Sequence, residues 1–203
     1  MKGNGKEIIK AYGGFSDRYK TINFELVLQY LLYEFLSFLP KNAKILDAGC
    51  GPGRDALTLS EEGYEAVGID LTPEMIKLAK ESGPDIDFHV RDLRKTEFDE
   101  ASFDGIWANA SVIHIPKQEI GIVLKEFARI LKPSGILFVS VLKGEGERAH
   151  LMKYFYEGEL AVSFYDKDEF SVELERNGFR VLRCLEDADD HDEWLNFICR
   201  KKQ

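Results

Sequence analysis

A chain of 203 residues, 44% of them hydrophobic, is slightly long for one average domain and short for two. No apolar run reaches the ~18 residues of a membrane-spanning helix. The net charge is −9, and residues 157–193 account for all of it with 13 acids against 4 basic residues, so neither part offers the clustered basic surface that nucleic-acid phosphates require. Met1 to Lys10 lack the apolar core of a secretory signal, and Cys50, Cys184 and Cys199 have no metal-ligand spacing. Free thiols, a cytoplasmic location, no metal, no membrane and no nucleic-acid partner are the expectations.

Lys2 to Lys20 has little periodicity and reads as a short helix or loop crossing the surface. It holds Tyr12, Phe15 and Tyr19, aromatic side chains that a free tail has no reason to expose, so residues 1–21 are read as a lid outside the folding core. From Asn23 to Leu39 the residues Phe24, Val27, Leu28, Leu31, Leu32, Phe35, Phe38 and Leu39 recur at helical spacing, and Pro40 ends the helix.

Ile45, Leu46 and Ala48 form a short apolar run that stops at Gly49-Cys50-Gly51-Pro52-Gly53, and a helical pattern closed by Gly63 follows. This is strand, tight loop, helix. Glycines in such a loop supply positive φ and let a ligand approach bare backbone, while the first N–H groups of the helix point into the space above the strand. The dinucleotide fingerprint requires a Gly or Ala where Arg54 stands, and instead the acid Asp47 precedes the glycines.

Ala66-Val67-Gly68-Ile69-Asp70 is a second buried strand, ending in an acid 19 residues beyond Gly51. Thr72-Pro73-Glu74 opens a helix with an N-cap and Gly83-Pro84 closes it. Asp70 can accept both hydroxyls of a ribose or merely cap the turn. Ile86 to Asp92 alternates as a third strand, and Phe103 to Asn109 is a fourth, continuing toward His114 and Pro116. A helix over 117–131 leads through the turn Pro133-Ser134-Gly135 into a fifth strand, 136–142. Residues 143–165, with Tyr154, Phe155, Tyr156, Phe164 and Tyr165, exceed a normal connection and suggest a substrate flap. Asp166 starts a capped helix that Asn177-Gly178 ends, and Phe179 to Leu185 and Trp194 to Cys199 are the last strands, joined by the acidic loop 186–193.

The Asp47 to Gly53 loop, Asp70, Asp92-Leu93 and the strand end at Asn109, in that order, resemble the pattern of the class I S-adenosylmethionine (SAM) dependent methyltransferases, most closely the small bacterial and archaeal ones. The resemblance implies a doubly wound α/β fold: a mostly parallel seven-stranded sheet, the last strand antiparallel, with helices on both faces. It also implies SAM as cofactor, with S-adenosylhomocysteine as product. Tyr19, Asp47, Gly49, Cys50, Gly51, Gly53, Asp70, Leu71, Asp92, Leu93 and Asn109 are the cofactor-binding residues it points to, with the Asp92 carboxylate on the adenine amine and the Leu93 N–H on a ring nitrogen. Lys132-Pro133-Ser134-Gly135 resembles the family's Lys-Pro-Gly-Gly turn, with Ser134 in a glycine's place.

One domain, 1–203, is then divided into the lid, a SAM-binding core over 22–142, the flap, and a C-terminal helix and strand hairpin over 166–203. The expected reaction is direct in-line transfer of the methyl group to an O or N acceptor on a small molecule. Asn109-Ala110-Ser111 lacks the Pro-Pro-aromatic signature of enzymes that methylate the planar nitrogens of bases. His114 is the candidate general base, or else it stabilises the turn before Pro116. Tyr12, Glu145, Arg148 and Tyr165 are candidate substrate contacts, and the protein is expected as a monomer or homodimer. A SAM-binding module without turnover and a nicotinamide-dependent oxidoreductase are the competing readings.

Overall fold

The computed structural model describes residues 5–23, 29–151, 158–189 and 191–203. Phe24, Val27 and Leu28 of the first expected helix, and Tyr154, Phe155 and Tyr156 of the expected flap, lie outside them. The elements run α1 (Gly5–Gly14), α2 (Ser16–Asn23), α3 (Gln29–Leu36), β1 (Lys44–Ala48), α4 (Arg54–Glu61), β2 (Glu65–Asp70), α5 (Pro73–Ser82), β3 (Asp87–Val90) and β4 (Phe103–Ala108). A single 3₁₀ turn (Val112–His114) leads into α6 (Lys117–Ile130), β5 (Leu131–Lys143), β6 (Glu147–Leu151), β7 (Glu159–Tyr165), α7 (Lys167–Arg176), β8 (Phe179–Ala188) and β9 (Glu193–Lys201).

Parallel pairing joins β3, β2, β1, β4 and β5 in that spatial order. β9 then runs antiparallel to β5, from Ile136 against Arg200 to Leu142 against Trp194, and β8 pairs antiparallel outside it. These seven strands are the sheet that the sequence leads one to expect. Residues 143–165 add two more: β6 and β7 pair as a hairpin, and β7 joins the far end of β5 at Leu142 and Lys143.

Side-chain alternation along β5 divides the core, since successive residues of a strand face opposite sides of the sheet. Leu137, Val139 and Val141 are buried with α6 and α7, through Ile120, Phe127, Phe170 and Leu174. Ile136 and Phe138 are buried with α3, through Leu31, Leu32 and Phe35. Phe138 stacks on Trp107 with ring centroids 3.9 Å apart. Each such fully buried side chain contributes about 1.5–3 kcal/mol. Helices thus cover both faces, and among the described residues no helix is long and apolar enough to cross a membrane.

Two local expectations are revised. Thr72 makes no side-chain cap for α5; its N–H is held instead by Asp70, at 2.8 Å. The turn at Pro133-Ser134-Gly135 is an irregularity inside β5, where Ser134 takes φ +62°, a conformation a glycine adopts at lower cost. Asp166 caps α7 as expected, accepting the Glu169 N–H at 2.8 Å.

Candidate active site

Parallel register brings the carboxyl ends of β1, β2 and β4 level, with Asp47 beside both Gly68 and Trp107. A cleft opens there, where ligands of open α/β sheets bind. Its wall brings together most of the residues that the sequence singles out: Gly49, Gly51, Asp70, Leu71, Asp92 and Leu93 from the sheet side, Asn109 and His114 after β4, and Tyr12 and Tyr19 from α1 and α2.

The glycine loop is pinned from beneath. Gly49 and Cys50 both donate their N–H to the Ile69 carbonyl, at 2.8 and 2.9 Å. Gly49 has φ +86°, and a Cβ there would lie 2.3 Å from the Cβ of Ser111, so the β1 and β4 loops meet only because no side chain intervenes. Gly51 has φ +53°, and its added Cβ would point at the Tyr19 ring, 3.5 Å away across the cleft. Asp47, Cys50 and Gly53 stand behind this wall. The buried Asp47 carboxylate accepts the Ala56 N–H at 3.0 Å and so holds the first turn of α4. Burial, then the neighbouring Asp55, pushes its pKa up. The Cys50 thiol turns back on the Gly51 carbonyl, burial raising its pKa, and Gly53 fits against Ala79 and Phe88.

Asp70 holds the loop together at the cleft. One carboxylate oxygen accepts the Gly51 N–H at 3.0 Å and the other the Thr72 N–H at 2.8 Å. Burial raises its pKa, and these two donors oppose the rise. The Thr72 hydroxyl and the Leu71 N–H also favour the charged form, so ligand hydroxyls reaching Asp70 would share its oxygens with these donors. Asp92 is gripped by Arg94, whose Nε and Nη2 both reach it while Nη1 reaches Glu119 at 2.7 Å. Burial opposes ionisation of Asp92, but the guanidinium outweighs it and holds the pKa below the usual range.

Arg94 was not singled out from the sequence, and neither was the network under the cleft floor. Arg54, in the place that a dinucleotide fold gives to a small residue, is buried and forks onto Asp55 at 2.6 and 2.9 Å. Asp55 also accepts the Trp107 indole N–H at 2.8 Å and the Asn109 amide at 3.4 Å. Burial opposes the Asp55 charge, yet Arg54 holds its pKa down. Ser140 takes the Ala110 N–H at 2.7 Å and donates to the Asn109 oxygen, fixing Ala110 at φ +53°. A run such as Asn109-Ala110-Ser111 gives no sign of this, because its partners come from α4 and β5.

His114 Nδ1 lies 3.1 Å from the Ala161 carbonyl and Nε2 lies 2.8 Å from the Tyr12 hydroxyl. Burial lowers its pKa to about 4, against the opposing pull of that carbonyl. Burial, with Tyr19 and Asp70 adding to it, raises Tyr12 well above an ordinary phenol.

Three expected substrate contacts do not line this cleft, although Arg148 borders a small pocket beside His114. Tyr165 is 1% exposed, packed edge-on against Phe170, because β7 continues the sheet and directs it into the core. Arg148 and Glu145 are exposed at the base of the β6–β7 hairpin; Arg148 donates to the Glu145 carbonyl at 2.9 Å and lies over the Phe164 ring. Among the described residues no group of three or more His, Cys, Asp or Glu could hold a metal ion.

A family model described as a methyltransferase domain matches residues 45–135. The chain is 33% identical to the ubiquinone biosynthesis O-methyltransferase of Xanthomonas axonopodis pv. citri, over 51% of this chain and 44% of that protein. It is 35% identical to the 2-methyl-6-phytyl-1,4-hydroquinone methyltransferase of Synechocystis sp., over 52% and 34%. It therefore spans less than half the length of either relative. The structure is similar to that of the 1,6-didemethyltoxoflavin-N1-methyltransferase of Burkholderia thailandensis, solved with 1,6-didemethyltoxoflavin and S-adenosylhomocysteine, with a TM-score of 0.76, 23% identity and coverage of 98% and 87%. A SAM-dependent methyltransferase of Methanosarcina mazei aligns with a TM-score of 0.73 at 23% identity, over 82% and 95%. Residues 45–135 thus match a methyltransferase domain, and the chain has the doubly wound α/β fold of the SAM-dependent methyltransferase structures it is similar to.

Proposed function

We propose that the protein transfers a methyl group from SAM to an oxygen or nitrogen of a small molecule. The observation that carries this reading is the convergence of the glycine loop, Asp70, Asp92-Leu93 and Asn109 on one cleft, with the Asp70 carboxylate in its wall. When bound, SAM supplies a methyl group activated on a sulfonium, which a nucleophile takes in line with the sulfur. The chain's own task is positioning. Gly49 and Gly51 admit the nucleoside against bare backbone, Asp70 receives its hydroxyls, and Asp92 and Leu93 receive the adenine edge. Holding two reactants in line supplies roughly 7–11 kcal/mol of the barrier, so a rigid floor under Asn109 matters more than any single reactive group.

On this reading α1 and α2 act as a lid, with Tyr12 and Tyr19 excluding water, and the β6–β7 segment borders the acceptor side through its Ala161 contact with His114. The relatives named for ubiquinone and hydroquinone methylation support a small-molecule acceptor. Calorimetric titration with SAM and S-adenosylhomocysteine, followed by incubation of methyl-labelled SAM with metabolite extracts, tests the proposal. Saturable binding and a labelled small product are expected; binding with no labelled product would reduce the protein to a SAM-holding module.

A further inference from the structure

The hydrogen bonds around His114 determine where its proton sits. A carbonyl oxygen can only accept, so Nδ1, 3.1 Å from the Ala161 carbonyl, carries the ring proton. Nε2 then holds the lone pair, and the Tyr12 hydroxyl 2.8 Å away must donate to it. Tyr12 has thereby committed its only proton to His114. What its oxygen offers the cleft, which it lines, is acceptor capacity alone. A ligand group touching Tyr12 must be a donor. An anionic group finds little welcome nearby, since the Arg94 guanidinium on the same wall is already engaged by Asp92 and Glu119.

We propose that Tyr12 receives the proton of the methyl acceptor while passing its own to His114, and that the acceptor group is a neutral hydroxyl. This rests on the methyltransferase reading above. The acceptor O–H bond breaks as its oxygen takes up the methyl group. The proton goes to Tyr12 Oη, the Tyr12 proton crosses to His114 Nε2, and the imidazolium keeps its Nδ1–H on the Ala161 carbonyl. With SAM bound, loss of the sulfonium charge would accompany the transfer, so the site would hold one positive charge before and after, and the part-buried imidazole need not be charged at rest. An amine has less use for such a relay, because it attacks through its lone pair and its product can shed a proton to water afterwards. A hydroxyl that attacks under a closed lid has no water to take its proton.

The test begins with calorimetric titration of the full chain with S-adenosylhomocysteine; no binding would overturn the methyltransferase reading itself, before any acceptor is added. For a protein that binds, nitrogen-15 NMR of the histidine rings in the free state is expected to show His114 protonated on Nδ1 and bare on Nε2. Methyl-labelled SAM is then offered with catechol as the hydroxyl probe and aniline as the amine probe. Methylation of catechol in preference to aniline is expected. Tyr12→Phe should lower kcat on catechol at least about 100-fold, with KM moving less than about threefold. His114 protonated on Nε2, unchanged kcat in Tyr12→Phe, preference for aniline, or no methylation of catechol by a protein that binds S-adenosylhomocysteine would each overturn the hydroxyl relay.

Discussion

Gly49 is the residue at which the least chemical change should have the largest effect. Gly49→Ala would place a Cβ 2.3 Å from Ser111 Cβ at φ +86°, so the loop or the Ser111 turn must shift. A loss of about 1–3 kcal/mol in denaturant unfolding is expected, with weakened S-adenosylhomocysteine binding. Asp70→Ala removes the acceptor for two backbone N–H groups and, on the proposed reading, for two ribose hydroxyls. Donors left unpaired cost about 1–3 kcal/mol, so the Kd for S-adenosylhomocysteine should rise roughly 5- to 150-fold. Equal titration curves for wild type and variant would refute the ribose role. His114 leads to a pH prediction. Its folded pKa of about 4 lies below the ~6.5 of an unfolded histidine, so between these values the unfolded chain binds more protons. Stability should therefore fall as pH drops from 6.5 toward 4, by up to about 3 kcal/mol, with no further cost from this group below that. Urea unfolding across this range should show a shallower slope for His114→Gln than for wild type.

Among the elements, α1 and α2 contribute cleft wall out of proportion to their burial. Ala11 is the buried residue of α1, and α2 shows none among its described side chains, yet the pair supplies Tyr12 and Tyr19. Both helices rest on α5. Deleting residues 1–21 should leave a cooperative thermal transition, destabilised by less than about 3 kcal/mol, while S-adenosylhomocysteine affinity falls and turnover is lost. A truncated chain that does not fold would show instead that these helices belong to the core. The Asp166 cap of α7 is a separate element with no part in the cleft. Asp166→Ala should lower stability by about 1 kcal/mol and leave ligand affinity unchanged in the same titration.

For the whole molecule, stability follows from position in the sheet. β1, β2, β4, β5, β7 and β9 have strands on both sides, whereas β3, β6 and β8 are paired on one side only. Native-state hydrogen exchange should be slowest in the strands paired on both sides and fastest in β3, β6 and β8.

How far the sequence alone reached follows the same division. Ile45 to Ala48, Ala66 to Asp70 and the glycine loop between them were legible because strand, turn and helix signals are local: apolar runs, positive-φ glycines and Pro73 act within a few residues of themselves. That Asp70 and Asp92 would border one cleft was legible from their order, since consecutive parallel strands open their carboxyl ends at one edge, while the roles given to them came from the family resemblance. What only the tertiary structure decided is which side chains meet across that edge. Tyr12 and His114 are 102 residues apart, and nothing local pairs them. Arg94 disclosed its role only when Glu119 of α6 arrived beside it, and Asn109 only through Asp55 and Ser140. Tyr165 lies in the core for a related reason. A strand's inward and outward faces alternate residue by residue, so the register of β7 decides whether an aromatic faces core or cleft, and its partners β5 and β6 set that register from elsewhere in the chain.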